Sequence, residues 1–140
     1  MKSLWKRHIN LDEINAAGEG RANGVLGVRI TAVENNSVRG EMAIESRVHQ
    51  GYGILHGGVS CVLAETLGSV GSLLACDEDH YPVGVDINAT HMNGIKSGAV
   101  IGIATPLKIG SRLHVWSINI ESEDGLPICA ARLTTAILKK

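Results

Sequence analysis

Phenylalanine is missing from this sequence, and aromatic residues are limited to two tryptophans and two tyrosines. The core therefore has to be built from Val, Ile, Leu and Ala, with 17 glycines letting backbones approach closely. Cysteine is sparse too. Cys61, Cys76 and Cys129 are odd in number, apolar in surroundings and without CxxC spacing. That pattern argues against a disulfide framework or a zinc site and predicts reduced, buried thiols in a cytoplasmic protein. An excess of one charge is also lacking. The net charge is -1 and basic residues are scattered, so nucleic acid and anionic membranes are not expected partners. No stretch approaches the ~20 apolar residues of a membrane span, and the basic start Met1–Arg7 leads into no signal-like apolar run. HExxH, P-loop and GxGxxG patterns are absent, so neither a metal nor a nucleotide cofactor is expected.

What is present reads as one domain over residues 1–140. Asn10-Leu11-Asp12-Glu13 resembles a capping box, with Ile9 and Ile14 as a hydrophobic staple and Gly18 as a left-handed terminus. These predict a short helix over 11–17. Strands are expected at Val25–Val33 and Val38–Glu45, then a helix over 57–76. Further strands are expected at Val83–Met92, Ala99–Leu107, Arg112–Glu121 and Leu126–Leu138, with Asp124-Gly125 as a hairpin turn. Six strands and one dominant helix imply an α+β fold: a largely antiparallel sheet wrapped around that helix.

The helix carries the chemistry. At ~100° per residue, Val59, Val62, Leu63, Thr66, Leu67, Val70, Leu73 and Leu74 form one stripe. Cys61, Ala64, Glu65, Gly68, Ser69, Gly71, Ser72 and Ala75 form the other, which lacks the long polar residues of a solvated face. Glu65 is then a lone carboxylate on a helix buried nearly all round, with Ser69 one turn on. Such a carboxylate is either a structural ion-pair partner or a functional group. Gly57 and Gly58 open the helix with amides unpaired at the positive end of the dipole, suited to a polarised carbonyl or an oxyanion. Glu65 lies eight residues past Gly57, about 12 Å along the axis. Two groups so far apart can act on one carbon only if they come from two subunits.

At these residues the sequence resembles the hotdog-fold acyl-CoA thioesterases, in particular those of menaquinone biosynthesis and enterobactin proofreading. "GILHGGVSCVLAETLGS" resembles their helix signature, and "VGVDINATHM", "PLKIGSRLHVW" and "RLTTAIL" resemble the strands that follow. The resemblance runs from Trp5 to the C-terminus. It implies a curled antiparallel sheet around a long central helix, a homotetrameric dimer of dimers, and hydrolysis of an acyl-CoA, with an aryl carrier protein as another donor. It makes Glu65 the nucleophile or general base and Ser69 the support for the attacking water. Gln50 and the Gly57 amide polarise the thioester carbonyl, and His56 assists the leaving thiolate. His91 lines the pocket. Coenzyme A, present as part of the substrate, falls to Gly84, to His91, Met92, Asn93 and Gly94, and to Lys108, Ile109, Gly110, Ser111, Arg112 and Leu113. Lys108 and Arg112 have the charge for phosphates. The sequence departs from the family pattern at Asn93, where a basic residue is common, and at Gly51-Tyr52, where Pro-Phe is usual.

Two other readings are open. Asp86, Asn88 and His91 have the D-x-N-x-x-H spacing of hydratases built on the same fold, which would add water to an enoyl thioester. A non-catalytic acyl-CoA or acyl-carrier binding module would need the pocket but not Glu65. Of the other histidines, His8, His49, His80 and His114 are expected at the surface. His91 shares strand parity with Val83, Val85 and Ile87, so a core histidine is the alternative to a pocket role.

Overall fold

In the computed structural model, which describes residues 3–140, α1 (Leu11–Gly18) and α2 (Ala22–Val25) precede a hairpin of β1 (Arg29–Val33) and β2 (Val38–Ala43). A 3-10 turn (Ser46–Val48) leads into α3 (Gly57–Ala75), and β3 (His80–His91), β4 (Ala99–Ile109), β5 (Leu113–Ser122) and β6 (Pro127–Lys139) follow. The six strands form one antiparallel sheet in the order β1-β2-β4-β5-β6-β3. It curls around α3, which packs on β2 through β6. This is the hotdog architecture.

Asn10 caps α1 by accepting from the amides of Asp12 (3.1 Å) and Glu13 (3.2 Å). Gly18 is not the left-handed terminus. It is buried within the last turn of α1, and Gly20 takes the positive φ of 70°. The expected strand Val25–Val33 begins only at Arg29 because α2 occupies the stretch before it. Gly24 lets α2 lie against α1, since a Cβ there would sit 2.1 Å from the Gly18 carbonyl oxygen.

By length and composition α3 could cross a membrane, contrary to the expectation that no stretch approaches this; here the sheet covers much of it instead. Its inward face is Ser60, Leu63, Ala64, Leu67, Gly68, Gly71, Ser72, Leu74 and Ala75, so it draws on both expected stripes. Cys61, Val62, Glu65, Thr66, Ser69 and Val70 are only half-buried. The small residues are thus not a separate face; they let α3 sink into the sheet. Gly40 and Gly102, paired across β2 and β4, leave a hollow for Leu67. A Cβ on either would meet a Leu67 methyl at 2.7 or 2.6 Å. Trp116, Ile118 and Ile120 point inward from β5, as their alternation predicts. The Trp116 Nε1–H donates to Ser72 Oγ (2.8 Å), which shares a second bond with Thr135 Oγ1 (2.8 Å), so these buried polar groups satisfy one another.

His114 belongs to the same inward row. It is 2% exposed rather than at the surface, and its Nδ1 has no partner among the described residues. Burial is the main cause lowering its pKa, opposed by a backbone bond at Gly110 and assisted by Lys6. Beyond the helix, the β3–β6 ladder shifts register between Gly84 and Asp86, leaving Val85 as a bulge.

Candidate active site

Glu65 and Ser69 sit one turn apart on the open side of α3 and line a cleft of about 500 Å³. Its other walls come from α1 (Ile14, Ala17), α2 (Asn23), α3 (Val70, Leu73) and β3 (Tyr81, Pro82). Among the described residues the Glu65 carboxylate has no hydrogen-bond or ion-pair partner, and Ser69 Oγ is likewise free of protein partners. Thr66 differs: its hydroxyl donates to the Val62 carbonyl at 2.6 Å. Gly84 is what seats the carboxylate, for a Cβ there would stand 2.8 Å from Glu65 Oε1. Cys61, one turn before Glu65, is no rival nucleophile. Burial first and Glu65 second push its thiol pKa up, away from the thiolate.

The first turn of α3 faces a different space. Gln50, Ile54, Gly57, Ser60, His91, Met92, Asn93 and Gly94 line a cavity of about 310 Å³. Only one of the two expected amides is free there. The Gly58 N–H donates to His56 Nδ1 at 2.9 Å, so His56 caps the helix, whereas the Gly57 N–H has no partner within the described chain. The accepting Nδ1 places the proton of a neutral His56 on Nε2, as a donor. The Gln50 side-chain oxygen accepts from the Tyr52 amide, two residues on in the loop before α3.

His91 reaches the Gly57 turn because of the Val85 bulge. After it, Ile87, Ala89 and His91 face α3, while Asp86, Asn88 and Thr90 are exposed on the other side. The parity expected with Val83 and Val85 is thereby broken, and His91 is an exposed wall residue rather than a core histidine. A Cβ on Gly57 would lie 2.7 Å from its Nε2. The same alternation turns Asp86 away from His91, so the hydratase spacing is not realised on one face.

The residues expected to hold coenzyme A are divided within the chain. His91–Gly94 stand at the start of α3, Gly84 at its middle beside Glu65, and Ile109, Gly110 and Ser111 beside Cys76 and Asp77 past its end. Lys108, Arg112 and Leu113 flank the same tight turn, closed by the Gly110 amide donating to the Leu113 carbonyl at 2.9 Å. Both cations are exposed and outside any salt bridge among the described residues. Ile14, Ala17, Asn23, Tyr81 and Pro82 around Glu65 were not expected. They come from segments distant in sequence and carry no motif.

The thioesterase superfamily signature matches residues 52–129. The 1,4-dihydroxy-2-naphthoyl-CoA hydrolase of Escherichia coli K12 is 44% identical over 135 residues, covering 96% of this chain and 99% of that protein. A mutant thioesterase of Pseudomonas aeruginosa superposes with a TM-score of 0.96 at 40% identity, covering 99% of this chain and 100% of its own. A thioesterase of Haemophilus influenzae does so with 0.95 at 38% identity, covering 97% and 95%. A hotdog sheet, an unpaired carboxylate on its central helix and these likenesses agree: the chain belongs to the thioesterase superfamily and is a thioesterase.

Proposed function

We propose that the substrate is an aromatic acyl-CoA of the 1,4-dihydroxy-2-naphthoyl or benzoyl type, hydrolysed to the free acid and CoA. The observation that carries the reading is the unpartnered Glu65 carboxylate in an apolar cleft. Glu65 takes a proton from water, or attacks the carbonyl itself and forms an anhydride that water then opens. Either way a C–O bond forms, the C–S bond breaks, and the CoA thiolate leaves and is protonated. Ser69 holds the water. The Gly57 amide and Gln50 stabilise the oxyanion, and His56 Nε2–H stands by the departing sulfur.

Glu65 and Gly57 lie about 12 Å apart along one helix, so the carboxylate of one subunit works with the amide of another. A partner is supported by the edge strand β3, whose outer side is unpaired in the sheet and carries the exposed Val83 and Val85. Two copies joined there, and two such pairs together, account for the phosphate-binding cations as well. Lys108 and Arg112 of a third surface would grip the nucleotide that His91–Gly94 cannot reach alone. The protein acts in the cytoplasm, and an aryl carrier protein is the other thioester donor to be screened.

The test is complementation. Glu65→Ala and Gln50→Ala proteins, each inactive, are mixed, unfolded and refolded together. Random pairing makes half the dimers mixed, each with one intact site, so about a quarter of wild-type activity returns. No recovery would place both groups in one subunit and overturn the composite site. Affinity and biological role both surviving in Glu65→Gln, with no thiol release even from the wild type, would favour a binding module.

A further inference from the structure

Resting on the aromatic acyl-CoA reading above, we infer that Asn23 is a specificity-determining residue, reading a hydroxyl or carbonyl group on the ring of the acyl group. Five polar side chains line the Glu65 cleft: Asn23, Glu65, Thr66, Ser69 and Tyr81. Glu65 and Ser69 have roles in the reaction, and the Thr66 hydroxyl is taken up by the Val62 carbonyl. Tyr81 lies on the edge strand and, at 40% exposed, is the most open of the five. Asn23 is left.

Asparagine at the start of a helix is ordinarily explained by capping, but that explanation fails here. The N-cap of α2 is Arg21, and no side chain caps that helix. The Asn23 carbonyl accepts from the Val28 amide at 2.9 Å, a bond any residue could supply. Its side-chain amide makes no hydrogen bond within the described chain. Yet the amide is seated rather than loose. It fills the space above Gly18, where a Cβ would come within 2.5 Å of Nδ2, and Gly24 allows the close approach of α1 and α2 that brings it there. The fold makes room for an amide that it does not itself use.

The consequence is selective. Ile14, Ala17, Val70, Leu73 and Pro82 favour an apolar occupant. An occupant without polar groups would strip water from the Asn23 amide and give nothing in return, which costs more than a hydrogen bond gains. A flat ring bearing a hydroxyl satisfies both the apolar walls and the amide. An aliphatic acyl chain satisfies only the walls. Discrimination of this kind is stronger than an apolar pocket can exert by shape.

The experiment compares kcat/KM for 1,4-dihydroxy-2-naphthoyl-CoA and unsubstituted 2-naphthoyl-CoA in wild type, Asn23→Leu and Asn23→Ala, with Tm measured alongside. Leucine matches the amide in size, and alanine guards against misfit. The expected result is a roughly ten-fold loss for the hydroxylated substrate in both variants, with the unsubstituted one unchanged or faster. An equal fall for both substrates, or no change for either, would overturn the role of Asn23. Failure of the wild type to hydrolyse either thioester would instead overturn the aromatic acyl-CoA reading on which it rests.

Discussion

Around Glu65 the walls are side chains from α1, α2, α3 and β3, whereas around Gly57 the chemistry is offered mainly by backbone, with Gln50 and His91 as its side-chain neighbours. The two regions are equally glycine-dependent, in different ways. Gly84 leaves space for a carboxylate; Gly57 leaves an amide exposed and a histidine ring close to it. On the mechanism proposed above, one end offers the reacting group and the other the polarising group, and the ~12 Å between them along α3 calls for a second subunit to bring them together.

The sharpest way to break this comparison is Glu65→Gln. Turnover should fall on the order of 10²- to 10⁴-fold, while Tm stays within about 1 °C, because the carboxylate has no partner to lose. A large loss of Tm would show instead that Glu65 is structural. Gly84→Ala comes next. Its Cβ would collide with Glu65 Oε1, so kcat should drop about ten- to a hundred-fold with KM little altered, as read by steady-state thiol release. At the other end, Gly57→Ala keeps the amide but pushes on His91. A loss of about ten-fold is expected there, with His91→Ala relieving part of it. Additive losses in that pair would refute their contact.

The smallest effect lies outside both regions and serves as their control. Burial depresses the pKa of His114 below its ordinary 6.5. The unfolded chain therefore binds more protons over that interval. This contribution to stability is complete above about pH 6.5 and is lost as pH falls from there through the lower folded value. Tm measured from pH 7 to pH 5 should decline, and His114→Gln should flatten the decline without touching turnover at neutral pH.

The sequence revealed most where chemistry and periodicity coincide. Asn10 as a cap, α3 as the central helix, the inward row Trp116, Ile118 and Ile120, and Glu65 beside Ser69 all follow from local pattern. Local pattern failed where distant contacts decide. Val25 reads as strand, but Gly24 meeting Gly18 makes it the end of a helix. His114 alternates with Trp116 and was still expected outside, because a histidine carries no sign of what covers it. Asn23 and Tyr81 reach the cleft only through tertiary packing, and the spent Gly58 amide depends on a His56 rotamer.

Positions along an unbroken strand return to the same side in steps of two, yet 84 and 91 differ by an odd number and both look toward α3. Val85 supplies the odd step. Removing that one residue, although it is 61% exposed, would force a choice between a seat for the acid and a wall beside the amide. The length of β3 is therefore as much a part of the enzyme as any of its side chains.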